Sequence, residues 1–365
     1  MSLTATHRIV NFSSGPAVLP EPVLLEAQRD LYLHPRAGMS VMEMSHRSPA
    51  FDAILADAEA SVRALAGIGD DYAVLFLQGG ASLQFSMLPM NLLTPGRSAD
   101  YVITGVWGQK AIAEARKVGA VRVAGSTEGE GFHTVPARQD LQLDPAAAYV
   151  HFTTNNTIYG TQWPQLPDVG DVPLVADASS DVFSRPLDVG RFGVLYAGAQ
   201  KNLGPSGVTL VIIRKDLLTH SRADLPTMLS YAVHADHGSR YNTPNTFGIY
   251  ILGLVARWML GEGGLDALGA RNERKAARLY AEIDRTGFYR GHAAAAARSR
   301  MNVTFRLRDQ SLEDTFASQA ATNGLDGLKG HRSVGGLRAS MYNAFPEAGV
   351  DALVEFMREF ERTHG

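Results

Sequence analysis

Lys201 closes the apolar run Tyr196-Ala197-Gly198-Ala199-Gln200 and is followed by a turn, Asn202-Leu203-Gly204-Pro205-Ser206-Gly207. A lysine among small residues at a strand end is partly desolvated. This lowers its pKa and leaves an amine able to form a Schiff base with a carbonyl. Twenty-four residues upstream, a second apolar run, Val172-Pro173-Leu174-Val175-Ala176, ends in Asp177. An aspartate and a lysine on neighbouring strand ends suit pyridoxal phosphate: the lysine carries the cofactor as an imine, and the carboxylate keeps the ring nitrogen protonated so that the ring accepts electrons. On spacing alone, two ordinary solvated strand ends explain the pair better, so the rest of the site must decide.

A third run, Asp71-Tyr72-Ala73-Val74-Leu75-Phe76-Leu77, leads into Gln78-Gly79-Gly80-Ala81-Ser82 and then the helical pattern Leu83-Gln84-Phe85-Ser86-Met87-Leu88. Glycines at a strand-to-helix turn let backbone amides approach an anion, and the helix N-terminus favours negative charge, so the segment reads as a phosphate cup. Gly-Gly is also routine in tight turns, and the spacing is neither the dinucleotide fingerprint nor a P-loop. After the run Tyr101-Val102-Ile103-Thr104-Gly105 comes Trp107, which suits stacking on a planar ring as well as an ordinary core position.

These pieces, with Asn11-Phe12-Ser13-Ser14-Gly15-Pro16-Ala17, Met44-Ser45-His46-Arg47-Ser48, Asn155-Asn156-Thr157-Ile158, Ala199-Gln200-Lys201-Asn202, Tyr241-Asn242-Thr243-Pro244 and Gly330-His331-Arg332-Ser333 through Arg338-Ala339-Ser340, resemble the phosphoserine aminotransferases. That family belongs to the class V branch of fold type I pyridoxal phosphate enzymes, and the likeness covers nearly the whole chain. The resemblance implies that Lys201 bears the cofactor, Asp177 pairs with its ring nitrogen, Trp107 stacks on the ring and Thr157 bonds the ring hydroxyl. Gly80, Ala81, Ser82 and Gln200 would hold the cofactor phosphate, joined by Asn242 and Thr243 from a second subunit. Arg338 would clamp the substrate α-carboxylate. His46 and Arg47 of the partner, with His331 and Arg332, would face the phosphate of phosphoserine or the side-chain carboxylate of glutamate. A homodimer with shared active sites is implied.

Residue chemistry agrees with that division. A substrate carrying a carboxylate and a phosphate needs several cations with bidentate geometry, which arginine supplies better than lysine. His46-Arg47 and His331-Arg332 both sit beside turn-forming residues, Ser48-Pro49 and Gly335-Gly336; singly, each suits a solvated loop.

Composition narrows the class. The balance of 34 basic and 37 acidic residues, with no basic run, speaks against nucleic acid and anionic membranes as partners. The chain has no cysteine, which excludes disulfides, thiolate metal sites and the thiol that cysteine desulfurases of the same branch require. No metal site is expected: Val233-His234-Ala235-Asp236-His237 has ligand-like spacing but reads as a solvated loop. The opening Met1-Ser2-Leu3-Thr4-Ala5-Thr6-His7-Arg8 has no apolar core of a leader, and no run reaches the roughly 18 apolar residues of a bilayer span, so a cytoplasmic protein is expected.

Strands alternating with helical patterns from about residue 70 to 215 predict an α/β fold with a mostly parallel central sheet wound by helices. Helices are predicted over 246–260 and 266–285, then strand 301–307, helix 312–321, strand 336–341 and helix 350–362, an α+β unit. The segment Arg97-Ser98-Ala99-Asp100 reads as a turn and Ala293–Ala297 as a loop or helix start. The length of 365 residues suggests two domains: a large cofactor-binding one over 17–265 and a smaller one from 1–16 with 266–365. The expected reaction is amino transfer between glutamate and 3-phosphohydroxypyruvate, giving O-phosphoserine and 2-oxoglutarate. The phosphorylated hydroxythreonine of vitamin B6 synthesis is a further candidate substrate. The alternatives are a related aminotransferase acting on serine, alanine or glyoxylate, and a catalytically silent cofactor-binding protein, against which intact Lys201, Asp177 and Arg338 argue.

Overall fold

The computed structural model of the chain describes residues 8–222 and 224–365. Among these, seven strands form the main sheet: β1 (Tyr72–Leu77), β2 (Ser98–Ile103), β3 (Ala120–Ser126), β4 (Val150–Thr153), β5 (Leu174–Asp177), β6 (Val194–Gly198) and β7 (Thr209–Arg214). Their order is β1-β7-β6-β5-β4-β2-β3. The pairs among β2 to β6 are parallel, and β7 runs against both β6 and β1. The inner strands are apolar on both faces because helices cover both, as parallel sheets require. Alternation along β1 shows it: Val74 and Phe76 enter one core with helices α1 (Glu21–Tyr32), α2 (Pro49–Ala66) and α5 (Thr246–Gly261), whereas Ala73, Leu75 and Leu77 enter another with α3 (Gly80–Leu92) and α4 (Val106–Ala115).

Because β1, β2, β4, β5 and β6 point the same way, their carboxyl ends open on one edge. Gln78, Thr104, Thr154, Asp177 and Ala199 stand there together, the crevice where open α/β sheets bind ligands.

Helix α6 (Gly264–Ile283) joins this body to a second core. Leu265 and Leu268 pack into the first, while Ala276, Leu279, Tyr280 and Ile283 pack into the second. There the antiparallel strands β8 (Tyr289–Gly291), β9 (Asn302–Leu307) and β10 (Leu337–Ser340) are covered by α7 (Glu313–Thr322) and α8 (Glu347–His364). The N-terminal segment returns to this unit: Val10–Asn11 pairs in parallel with Leu325–Asp326, and Phe12 packs on Phe345 with ring centroids 4.6 Å apart.

Two local expectations are corrected. Ser98 to Asp100 open strand β2 and do not form a turn. The polar residue Asp100 is tolerated in a buried strand because its carboxylate accepts the Asp144 amide at 2.6 Å and faces Arg122 at 3.3 Å. Residues 233–236 lie in a short helix, Tyr231–Asp236, which Ser230 caps by accepting the Val233 amide. His234 is therefore buried, bonding the Met228 carbonyl at 2.9 Å, where a solvated loop was expected. The opening Met1 to Arg8, expected to hold no leader, lies mostly outside the described residues, and no described helix is long and apolar enough to cross a membrane.

Candidate active site

The turn after β6 brings the Lys201 amine to the end of the loop after β4, where it donates to Thr157 Oγ1 at 2.7 Å. The same nitrogen lies 5.9 Å from the centroid of the Trp107 ring, on the first turn of α4. Burial pulls the Lys201 amine down to about 8, Arg338 adds to the effect, and Asp177 opposes it. Asp177 ends β5 and is buried, its Oδ1 accepting the Ser179 amide at 3.0 Å. Burial raises the Asp177 carboxyl, with the Ser179 hydrogen bond and the Lys201 charge acting against it. Among the described residues it forms no close ion pair, and Lys201 is the cation that acts on it from a distance.

Arg338 presents the complementary case. It lies on the edge strand β10, is buried, and donates from Nη2 to Ser14 Oγ at 2.7 Å and from Nη1 to the Thr157 carbonyl at 3.4 Å. Among the described residues its Nε has no hydrogen-bond partner, and neither does the buried Nε1 of Trp107. A buried guanidinium without a carboxylate calls for an anion from outside the chain.

At the opposite side of the crevice, Gly79 (φ 88°) caps α3 and Gly80 (φ 65°) begins it. A side chain at Gly79 is doubly excluded, since its Cβ would also stand 2.5 Å from Leu83. The helix N-terminus formed by Gly80, Ala81 and Ser82 remains accessible, and Gln200 is half-buried beside Lys201. These open amides and the dipole of a 13-residue helix can take a phosphate.

His331 lies in the loop before β10, its Nδ1 2.7 Å from Ser333 Oγ, and Arg332 beside it is exposed, with no ion pair among the described residues. Burial, then Arg338, Arg332 and Lys110, hold the His331 imidazole below its ordinary value. Lys110 was not singled out from the sequence; one helical turn beyond Trp107, it places its amine 4.9 Å from that ring centroid. Its Trp107-to-Lys110 spacing on a helix was the available signal. Ser14, Ser179 and Asp181 were also missed as supporting groups. Asp181 is buried and accepts from Thr154 and, at 2.9 Å, from Gln162.

The other two motifs stand together elsewhere on the chain. His46 and Arg47 precede α2, whose N-cap is Ser48, and Tyr241, Asn242 and Thr243 precede α5, whose N-cap is Asn245. The two helices pack on each other, and Arg240 pairs with Asp52 in the first turn of α2. Arg47, Tyr241 and Thr243 are exposed, while the Thr243 carbonyl lies 3.4 Å from Gln78 Nε2 at the turn before α3. Within one chain His46 and Arg47 make no hydrogen bond or ion pair with Lys201, Asp177 or Arg338.

The chain belongs to the class V aminotransferases, whose family model matches residues 9–353. Among its curated relatives, the phosphoserine aminotransferase of Laribacter hongkongensis is 56% identical over 358 residues, covering 98% of this chain and 99% of the relative. That of Lysinibacillus sphaericus is 53% identical over 360 residues with the same coverage. A solved phosphoserine aminotransferase from Bacillus circulans subsp. alkalophilus superposes with a TM-score of 0.96 at 50% identity, over 98% of this chain and 99% of that one. A pyridoxal phosphate-bound phosphoserine aminotransferase from Trichomonas vaginalis gives 0.91 at 36% identity, over 96% and 100%.

Proposed function

We propose that this protein is a phosphoserine aminotransferase. It transfers the amino group reversibly between glutamate and 3-phosphohydroxypyruvate, giving O-phosphoserine and 2-oxoglutarate, with pyridoxal phosphate as cofactor. The observation that carries the reading is the gathering of Lys201, Arg338, His331, Arg332 and Lys110 near the buried carboxylate of Asp177, with Asp181 buried close by. Such a site suits a cofactor with a cationic ring nitrogen and a substrate with two anionic ends.

The donor set fits pyridoxal phosphate: Asp177 has no close ion pair among the described residues, the α3 N-terminus is open to an anion, and Lys201 is a partly desolvated amine. When bound, the cofactor supplies an electron sink for the bonds at the substrate Cα. Lys201 would anchor it, and its amine would move the proton at the substrate Cα. Asp177 holds the proton on the ring nitrogen, Thr157 bonds the ring hydroxyl, and Trp107 offers its face. Gly80, Ala81, Ser82 and Gln200 take the cofactor phosphate. Arg338 orients the substrate α-carboxylate, while His331 and Arg332 meet the phosphate or the second carboxylate.

Specificity is tested at those arginines. One charge-assisted phosphate contact is worth roughly 1.5–3 kcal/mol, so Arg332→Leu and Arg47→Leu should each lower kcat/KM for phosphoserine about tenfold to a hundredfold or more. Serine should be a poor substrate that hardly registers the change. Equal losses on both substrates would make these arginines structural and favour an aminotransferase for unphosphorylated substrates. Rates on phosphoserine and on the phosphorylated hydroxythreonine, compared side by side, decide whether the vitamin B6 intermediate is also used.

The working unit is a homodimer in this reading. Two motifs far apart in sequence, His46-Arg47 and Tyr241-Asn242-Thr243, stand together on one platform beside exposed Met39, Met42 and Tyr241, which suits a surface covered by a second copy. Each subunit would lend Asn242 and Thr243 to its neighbour's phosphate cup, and His46 and Arg47 to its substrate pocket. Refolding Lys201→Ala protein with Arg47→Leu protein should then restore activity, because the hybrid carries both lesions in one site and leaves the other intact. Hybrids that form and stay inactive would refute the sharing.

A further inference from the structure

Lys275, on α6, is 1% exposed and belongs to none of the groups described above. Its ammonium spends all three donors on one short turn: the carbonyls of Met341, Tyr342 and Phe345 accept at 3.1, 2.8 and 3.2 Å. No carboxylate pairs with it among the described residues. Burial and Arg271 pull the amine down to about 7, and Glu347, itself paired with Arg274, opposes them. An apolar side chain would occupy this interior position without the penalty of a buried charge. The charge is retained where it gathers three carbonyls that would otherwise repel one another.

The turn so gathered leaves β10 just after Arg338 and touches the site by two routes. The Tyr342 hydroxyl donates to the Ser14 carbonyl at 2.8 Å, and Ser14 Oγ in turn accepts from Arg338 at 2.7 Å. The Asn343 amide donates to Asn202 Oδ1 at 3.0 Å, on the residue next to Lys201. Asn272, one turn before Lys275 on the same helix, donates to Asn343 Oδ1 at 2.8 Å. Helix α6 thus grips the turn at two points, one of them ionic.

We propose that Lys275 is a positioning residue for substrate binding: by holding the 341–345 turn, it sets the Arg338 guanidinium at a fixed distance and angle from the Lys201 amine. The inference rests on the proposed role of Arg338 toward the substrate α-carboxylate. That contact is made alike in the ground and transition states, so loosening it raises KM and leaves kcat in place.

The test is steady-state kinetics of the holoenzyme with glutamate and with phosphoserine. Lys275→Met, similar in length and uncharged, should raise KM for both substrates about tenfold while kcat stays within about threefold, the scale of one weakened charge-assisted hydrogen bond to the α-carboxylate. A purely structural lysine gives the opposite split: fewer active molecules, hence lower apparent kcat at unchanged KM, and that result overturns the proposal. Tyr342→Phe keeps Lys275 and removes the bond to Ser14 together with the one its hydroxyl accepts from Asn302 at 3.1 Å, so it tests the relay if Lys275→Met yields no folded enzyme. It should raise KM several-fold, at about 1 kcal/mol for one hydrogen bond, and an unchanged KM overturns the relay. Arg338→Lys in the same assay separates the two claims. Wild-type KM there breaks the carboxylate assignment itself, whereas a loss there with normal Lys275→Met kinetics breaks only the positioning role.

Discussion

Lys201→Ala should abolish transamination, with a loss on the order of 10⁴-fold or more, because in the proposed mechanism the anchoring amine and the group that moves the Cα proton disappear together. The visible absorbance of lysine-bound cofactor should vanish as well. The fold should survive: the amine's one hydrogen bond is to Thr157 Oγ1, and truncation removes a group that burial already disfavours in its charged form. The same burial gives a pH signature in the wild-type protein stripped of cofactor. With the amine lowered from an ordinary 10.5 to about 8, the reactive neutral form appears as pH rises through 8. The rate of cofactor loading should therefore climb up to that range and level above it. A variant that keeps the band and wild-type turnover, or a loading profile centred near the ordinary lysine value, would remove Lys201 from this role.

The sequence makes the strand-end residues legible because parallel strands buried on both faces leave unbroken apolar runs that stop where the chain meets the crevice. Lys201 and Asp177 are visible as the polar residues that end such runs, and the register of β5 against β6, Asp177 opposite Tyr196, places them on one edge as expected. The helices over 246–261, 264–283, 313–322 and 347–364 lie within a few residues of the positions read from periodicity. What the sequence conceals is set by contacts distant along the chain. Asp100 reads as a turn residue because its satisfying partners, Asp144 and Arg122, lie 44 and 22 residues away. His234 reads as solvated because Ser230 caps a helix too short to show a period. Ser14 reaches Arg338 across 324 positions, and no local pattern marks that bond. Lys275 is similar: on α6 it looks like one more cation of a charged face, and only the fold turns it inward. Joint placement of His46-Arg47 with Asn242-Thr243 comes from the packing of α2 on α5, which no spacing within either motif encodes.

Asp177→Asn separates an electrostatic role from a structural one. Asparagine keeps the shape and can still accept the Ser179 amide, but it carries no charge to hold a proton on a ring nitrogen. Turnover should fall on the order of a hundredfold or more, the scale of losing one preorganised electrostatic partner at a reacting centre. The cofactor should still bind, since the helix α3 terminus and Lys201 are untouched, and its bound spectrum should change as the ring nitrogen loses its partner. Stability should move the other way. Burial raises the Asp177 carboxyl above its ordinary value, so without cofactor the folded protein disfavours the ionised form relative to the unfolded chain. Without cofactor, the neutral amide should therefore leave the melting temperature level or higher. With cofactor bound, the wild type should regain the advantage through its pairing with the ring. Rates and melting curves of both forms, with and without pyridoxal phosphate, check this. If rate and cofactor-free stability fall together, Asp177 is a structural strut of β5; if turnover and the bound spectrum both stay normal, the ring nitrogen has no need of it.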